Sequence, residues 1–249
     1  IKGKGFEYAE QNATAFHSPK PFTVNQGSVE VQPSGRSFTS AFADIMADLM
    51  RQDNKIVAAT AAMPDGTGLD KVMEEFPNRV WDTGICESHA LDMLAGMAKT
   101  GCKPFFGVYS TFLQRAFDQA FQEVALQGLP IRFCLDRAGL VGGDGPVHHG
   151  FCDIALLKVL PNAALTAAID EPSLRAAMEW MCTYEDGLSA VRYPRDAVRE
   201  NASDCPPFEL GKAVALVEWA PACNLVSSIA VKVPLEPTTL KATPGSVEY

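Results

Sequence analysis

No stretch of this chain approaches the roughly 18 consecutive apolar residues needed to cross a bilayer, so the sequence offers no helical membrane span. Basic runs are also missing. Lys and Arg number 21 against 30 Asp and Glu, and the net charge of −9 argues against a nucleic-acid surface. No C-x-x-C pair occurs among the seven cysteines, at 86, 102, 134, 152, 182, 205 and 223. Their odd count and wide spacing speak against a disulfide framework or a zinc site, and imply a reducing compartment with free thiols. There is no internal repeat and no low-complexity tract. Nor is there an initiating methionine or a signal-peptide pattern ahead of Ile1, so the chain reads as a fragment whose start carries no address.

What is present suits a folded domain. The 249 residues are 47% hydrophobic and 20% charged, enough to bury a core in one large or two small domains. Residues 1–35, rich in Gly, Pro, Ser and Asn, read as an extended linker. A first helix is expected over Ser37 to Arg51, with Phe38, Phe42, Ile45, Met46 and Leu49 on one face. Short apolar strands then alternate with helical patterns. They begin at Ile56, Val80, Pro104, Ile131, Ala163 and Leu188, and one long helix is expected from about Thr111 to Gln127. That alternation predicts an α/β fold: a doubly wound, mostly parallel six-stranded sheet flanked by helices, filling 36–200. Beyond it, 201–249 reads as an irregular tail, with one further strand possible over Gly211 to Trp219.

In such sheets ligands bind beyond the carboxyl ends of the strands, and polar residues collect there. Glu87 sits where the Val80 strand turns into a helix, flanked by Ile85 and Cys86. Burial disfavours the charged form of a carboxylate, which makes Glu87 a candidate proton donor; a carboxylate capping a helix start is the alternative. Tyr109 and Ser110, then Asp136 and Arg137, then Arg192, follow the next strands. Two guanidiniums converging on one pocket, Arg137 and Arg192, suit a phosphate or carboxylate. His148 and His149 lie in the glycine-rich stretch DRAGLVGGDGPVHHG, as candidate acid/base groups. They lack a partner at zinc spacing, so no metal site is expected. Gly143-Asp144-Gly145 imitates the start of a diphosphate-and-magnesium motif, but the Asn that motif needs is missing downstream.

Together, GICESHALDMLAGMAKTGCKPFFGVYSTFLQRAFDQ, DRAGLVGGDGPVHHG and SAVRYPR closely resemble the 1-deoxy-D-xylulose-5-phosphate synthase family, over about Lys2 to Val217. The match is to that family's transketolase-like pyrimidine-binding domain. The resemblance implies thiamine diphosphate as cofactor, with pyruvate and glyceraldehyde 3-phosphate as substrates in isoprenoid and thiamine biosynthesis. It implies that Glu87 bonds the aminopyrimidine and promotes loss of the thiazolium proton. Phe112 matches the stacking aromatic, with Ile85 and Met63 as apolar walls. Arg115 matches the arginine near the pyruvate carbons, and His148 a proton-transfer histidine. Arg137 and Arg192, with Tyr109 and Asp144 beside them, match the phosphate holders. Magnesium is implied to be bound by a diphosphate-binding domain outside this chain. A cytoplasmic (or, in a plant, plastid) homodimer is implied for the whole enzyme, and an inactive fragment for this piece. Ser88 and Val147 depart from the family's usual Gln and Thr, and the tail does not resemble the family at all. Weighed against this are the β half of a 2-oxo acid dehydrogenase, which has no phosphorylated acceptor, and a non-catalytic assembly module.

Overall fold

A computed structural model of the chain describes residues 3–13, 16, 22–25, 28–31, 35–199, 205–209 and 211. It divides into two units, 1–35 and 36–249. The first holds a short helix α1 (Glu7–Gln11) and an antiparallel pair, β1 (Phe22–Asn25) and β2 (Ser28–Val31). Phe16 lies edge-on to Phe6 and to Phe22, with centroids 5.6 and 5.3 Å apart. The segment expected to be an extended linker therefore has local structure of its own, gathered by aromatics that its glycine and proline content hides.

The second unit begins at α2 (Phe38–Gln52), where Ser37 caps the start by accepting from the Ser40 N–H at 3.1 Å. Strand β3 (Ile56–Thr60) follows, then α3 (Pro64–Thr67), α4 (Leu69–Glu75) and β4 (Val80–Asp82). Helix α5 (Glu87–Lys99) leads to β5 (Lys103–Tyr109). The single helix expected after it is three pieces: a 3₁₀ segment Ser110–Ala116, one turn of α6 (Phe117–Gln119) and a π segment Ala120–Ala125. Beyond come β6 (Arg132–Asp136), α7 (Asp153–Leu157), β7 (Ala164–Ala167), α8 (Glu171–Met181) and β8 (Ser189–Arg192). Asp170 and Ser173 close a capping box at the start of α8, which satisfies backbone donors that have no partner inside the helix.

The six strands β3 to β8 pair in the order β4-β3-β5-β6-β8-β7, every neighbour parallel. Side chains alternate across a strand. Phe105 and Cys134 therefore pack with α2 and α8 on one face, while Phe106 and Phe133 pack with α5 and the 110–125 segment on the other. Each buried Phe contributes about 1.5–3 kcal/mol, so both faces are firmly covered. Arg132 is fully buried at the start of β6. It donates to the carbonyls of Met181 at 2.7 Å and Pro130 at 2.6 Å, and reaches Glu185 at 2.8 Å. The strand expected over Gly211 to Trp219 lies, apart from Gly211, outside the described residues.

Candidate active site

Parallel register puts Tyr109, the last residue of β5, level with Asp136, the last of β6. Directly after Tyr109 the tight 3₁₀ turn begins. Side chains three apart eclipse in such a turn, so Phe112 and Arg115 emerge on one side. The Phe112 ring stacks on Tyr109, with centroids 5.5 Å apart and planes 13° from parallel. Arg115 Cζ lies 5.2 Å from the Phe112 centroid, and Arg115 Nη1 donates to Glu87 Oε1 at 2.9 Å. Glu87 is the first residue of α5 and only 4% exposed. Its surroundings are thus not wholly apolar, as expected from Ile85 and Cys86, since a guanidinium holds it. His148 meets Phe112 and Tyr109 edge-on at 5.6 and 6.2 Å, with Nδ1 2.8 Å from the Asp144 carbonyl.

Beside this aromatic cluster lies a concentration of charge. Arg137 follows β6 in the left-handed region at φ 60°, strained for a residue with a side chain and typical of functional sites. Its Cζ sits 3.8 Å from the Tyr109 ring centroid. Nη1 donates to the Gly66 carbonyl at 2.9 Å, and Nε to Asp144 Oδ2 at 3.1 Å. The other Asp144 oxygen takes Arg195 Nη1 at 2.7 Å. One carboxylate therefore bridges two guanidiniums, and the second is Arg195 rather than the expected Arg192. Arg192 is held elsewhere, by buried Asp153 at 2.9 Å and by the Gly150 carbonyl at 3.4 Å. Burial works against the charge on Arg137, but Asp136, Tyr109 and Asp144 together outweigh it and raise its pKa. Burial also pushes the Tyr109 hydroxyl well above its ordinary value, although Arg137 opposes this.

Two glycines allow this closeness. A side chain at Gly66 would run into the Tyr109 hydroxyl, and one at Gly150 into Ser110 Oγ and the Arg137 carbonyl. Gly150 and Gly139 exchange backbone hydrogen bonds at 2.8 and 2.9 Å, closing the loop that carries Asp144 and His148.

Of the residues expected at a site, Glu87, Tyr109, Phe112, Arg115, Arg137, Asp144 and His148 come together. Ile85 stands 73% exposed between β4 and α5, and Met63 is half-buried just ahead of α3. Sequence reasoning missed Arg195 and Asp153, and placed Asp136 at its strand end without giving it a role. The signal for Arg195 was its place in SAVRYPR, one turn beyond a strand end. Asp153 carried none. Among the described residues no group of three or more His, Cys, Asp or Glu could hold a metal ion. A buried carboxylate held by Arg115 beside the Phe112 ring fits the pyrimidine end of a cofactor.

Residues 34–201 match the family described as transketolase, pyrimidine binding domain. The chain is 46% identical over 221 residues to the 1-deoxy-D-xylulose-5-phosphate synthase of Gloeobacter violaceus, covering 87% of this chain and 35% of that protein. It is 50% identical over 197 residues to 1-deoxy-D-xylulose-5-phosphate synthase 1 of Geobacter sulfurreducens, covering 79% of this chain and 31% of that one. Among solved structures, a split-gene transketolase described as an inactive β4 tetramer superposes with a TM-score of 0.64 at 26% identity, covering 74% of this chain and 60% of that one. The transketolase of Leishmania mexicana shares the fold, with a TM-score of 0.60 at 17% identity over 70% of this chain and 28% of its own. This chain spans about a third of the length of the curated relatives it matches. With two thirds of its residues inside that family match, and a six-stranded parallel sheet to go with them, the chain belongs to the transketolase pyrimidine-binding-domain family.

Proposed function

We propose that this chain is the pyrimidine-binding part of an enzyme that joins pyruvate to glyceraldehyde 3-phosphate, releasing carbon dioxide and giving 1-deoxy-D-xylulose 5-phosphate. The observation that carries the reading is Asp144 bridging Arg137 and Arg195 beside the Tyr109 and Phe112 rings. An anion position lies next to an aromatic, carboxylate-bearing pocket, as a phosphorylated acceptor and a pyrimidine ring together require. The relatives at 43–50% identity carry the synthase name, which favours this over a dehydrogenase half or an assembly module.

Thiamine diphosphate, when bound, supplies the electron sink that loss of carbon dioxide from a 2-oxo acid requires. With the cofactor bound, Glu87 would hold the aminopyrimidine edge and place a proton there, and Phe112 would stack on the ring. Ile85, exposed here, and Met63 would supply apolar contacts to the bound ring. Arg115 orients the pyruvate carboxylate. His148 moves a proton at the acceptor oxygen. Arg137 and Arg195 grip the phosphate, while Arg192, tied to Asp153 and Gly150, fixes the end of the loop. Magnesium and the diphosphate fall to residues of a further domain, and the complete enzyme works as a homodimer. Alone, the chain is inactive, as is the β4 tetramer of the split-gene relative.

The test is kinetic, in a full-length enzyme bearing this domain. Hydrogen bonds to charged groups are worth roughly 1.5–3 kcal/mol. Arg137→Ala and Arg195→Ala should each raise KM for glyceraldehyde 3-phosphate by about tenfold to a hundredfold and leave that for pyruvate alone. Arg192→Ala should have the smaller effect. Equal losses for both substrates would reject the phosphate pocket.

A further inference from the structure

Asp136 is a carboxylate that none of these roles uses. It ends β6, is fully buried, and accepts from Thr39 Oγ1 of α2 at 3.1 Å through Oδ2. Its other oxygen, Oδ1, lies 3.0 Å from Arg137 Nη1. That contact is close but unaligned, and among the described residues Oδ1 has no hydrogen-bond partner. The titratable groups around it are Arg137, Tyr109 at the end of β5, Tyr193 just beyond β8, and Cys134 within β6. The Tyr193 hydroxyl is likewise buried without a partner among the described residues.

Arg137 thus has two carboxylates of different kinds. Asp144 sits in a loop with glycines at 142, 143 and 145, and is shared with Arg195. An anion arriving between the two guanidiniums brings the charge that Asp144 supplies, so Asp144 is the partner it displaces. Asp136 belongs to the sheet and stays. With Nη1 donating to the Gly66 carbonyl and paired in charge with Asp136, the Nε edge now on Asp144 is the one that meets a ligand. Resting on the phosphate pocket proposed above, the geometry points to Asp136 as a positioning residue for acceptor selection. It pins the Arg137 guanidinium over the Tyr109 ring, so that one defined edge meets the phosphate.

Stability distinguishes this from a structural ion pair. Burial raises the Asp136 carboxyl to about 6, with Arg137 and Thr39 opposing. The unfolded chain releases that proton near pH 4. Between these values the folded state binds more protons, so stability falls as pH rises through the window and stays lower above it. Asp136→Asn removes that slope. In the full-length enzyme it should raise KM for glyceraldehyde 3-phosphate about tenfold as the buried charge facing Arg137 is lost, with KM for pyruvate unchanged. The variant should also melt no lower than wild type near neutral pH. A structural ion pair predicts a lower melting temperature and unchanged KM values. Thr39→Val, which removes only the bond to Oδ2, should move the acceptor KM the same way by about threefold, and serves if the first variant does not fold. An unchanged acceptor KM in either folded variant overturns the proposal. Arg137→Ala separates the two readings: if it too leaves that KM alone, the phosphate pocket itself falls.

Discussion

Glu87 is buried and gripped by a single guanidinium, so its chemistry and its anchoring can be separated by one substitution. Glu87→Gln keeps an acceptor for Arg115 Nη1 but removes the acidic proton. A general acid or base is typically worth 10²–10⁴-fold. Proton exchange at the thiazolium carbon in a full-length enzyme should slow by about that factor, with cofactor affinity nearly intact. Exchange at the wild-type rate, followed by NMR in deuterated water, would remove Glu87 from this role. At this scale the strand ends placed Glu87, Tyr109 and Arg137, while Phe112, Arg115 and the role of Asp144 came from the family resemblance. The sequence did not disclose partners. Whether a guanidinium meets Asp144 or Asp153 depends on how a loop returns, and Arg192 and Arg195 stand only three positions apart. Nor did any pattern announce that Ala62 adopts φ 59°, where Asp82 Oδ1 accepts its N–H at 2.7 Å.

The elements themselves were largely legible. Amphipathic α2 and the apolar strands carry strong periodicity, and their burial follows from it. The exception is instructive. Residues 110–125 have a helical pattern, yet they wind tight and then wide. The pattern records which residues are buried, and a change of winding between 3₁₀ and π leaves that pattern readable as one helix. Short α3 was also hidden, since four residues with Pro64 and Gly66 among them carry no helical periodicity. Gly66 within it meets Tyr109 so closely that Gly66→Ala must displace the ring or the helix. Overpacking of this kind costs about 1–3 kcal/mol. A lower thermal midpoint is expected for this variant, together with a raised acceptor KM, because Tyr109 and Arg137 both rest on this turn. A midpoint equal to wild type would show that the ring moves freely.

At the scale of the whole molecule, the pyrimidine side of a site is present and the diphosphate side is not among the described residues. Metal bridging and charge-assisted bonds are the strong terms in binding such a cofactor. The isolated chain should therefore give no saturable calorimetric signal with thiamine diphosphate and magnesium at micromolar concentration. Ile85, Leu140, Val147, Phe151 and Ile154 are all exposed on the connections that follow β4 and β6. Exposed apolar groups of this size favour association, so sedimentation should find oligomers; a monomer that binds cofactor would contradict both expectations. Asp144 has a further consequence for the protein in its cellular surroundings. It is tethered seven residues from Arg137, and a short tether presents its group at an effective concentration of millimolar order. Monovalent carboxylates in free solution must outcompete that resident charge to gain entry, and they bring nothing it lacks. A dianion brings a second charge and a third oxygen. If the proposed phosphate pocket holds, the loop would act as a threshold, closed to the background of small metabolite acids and opened by phosphate esters.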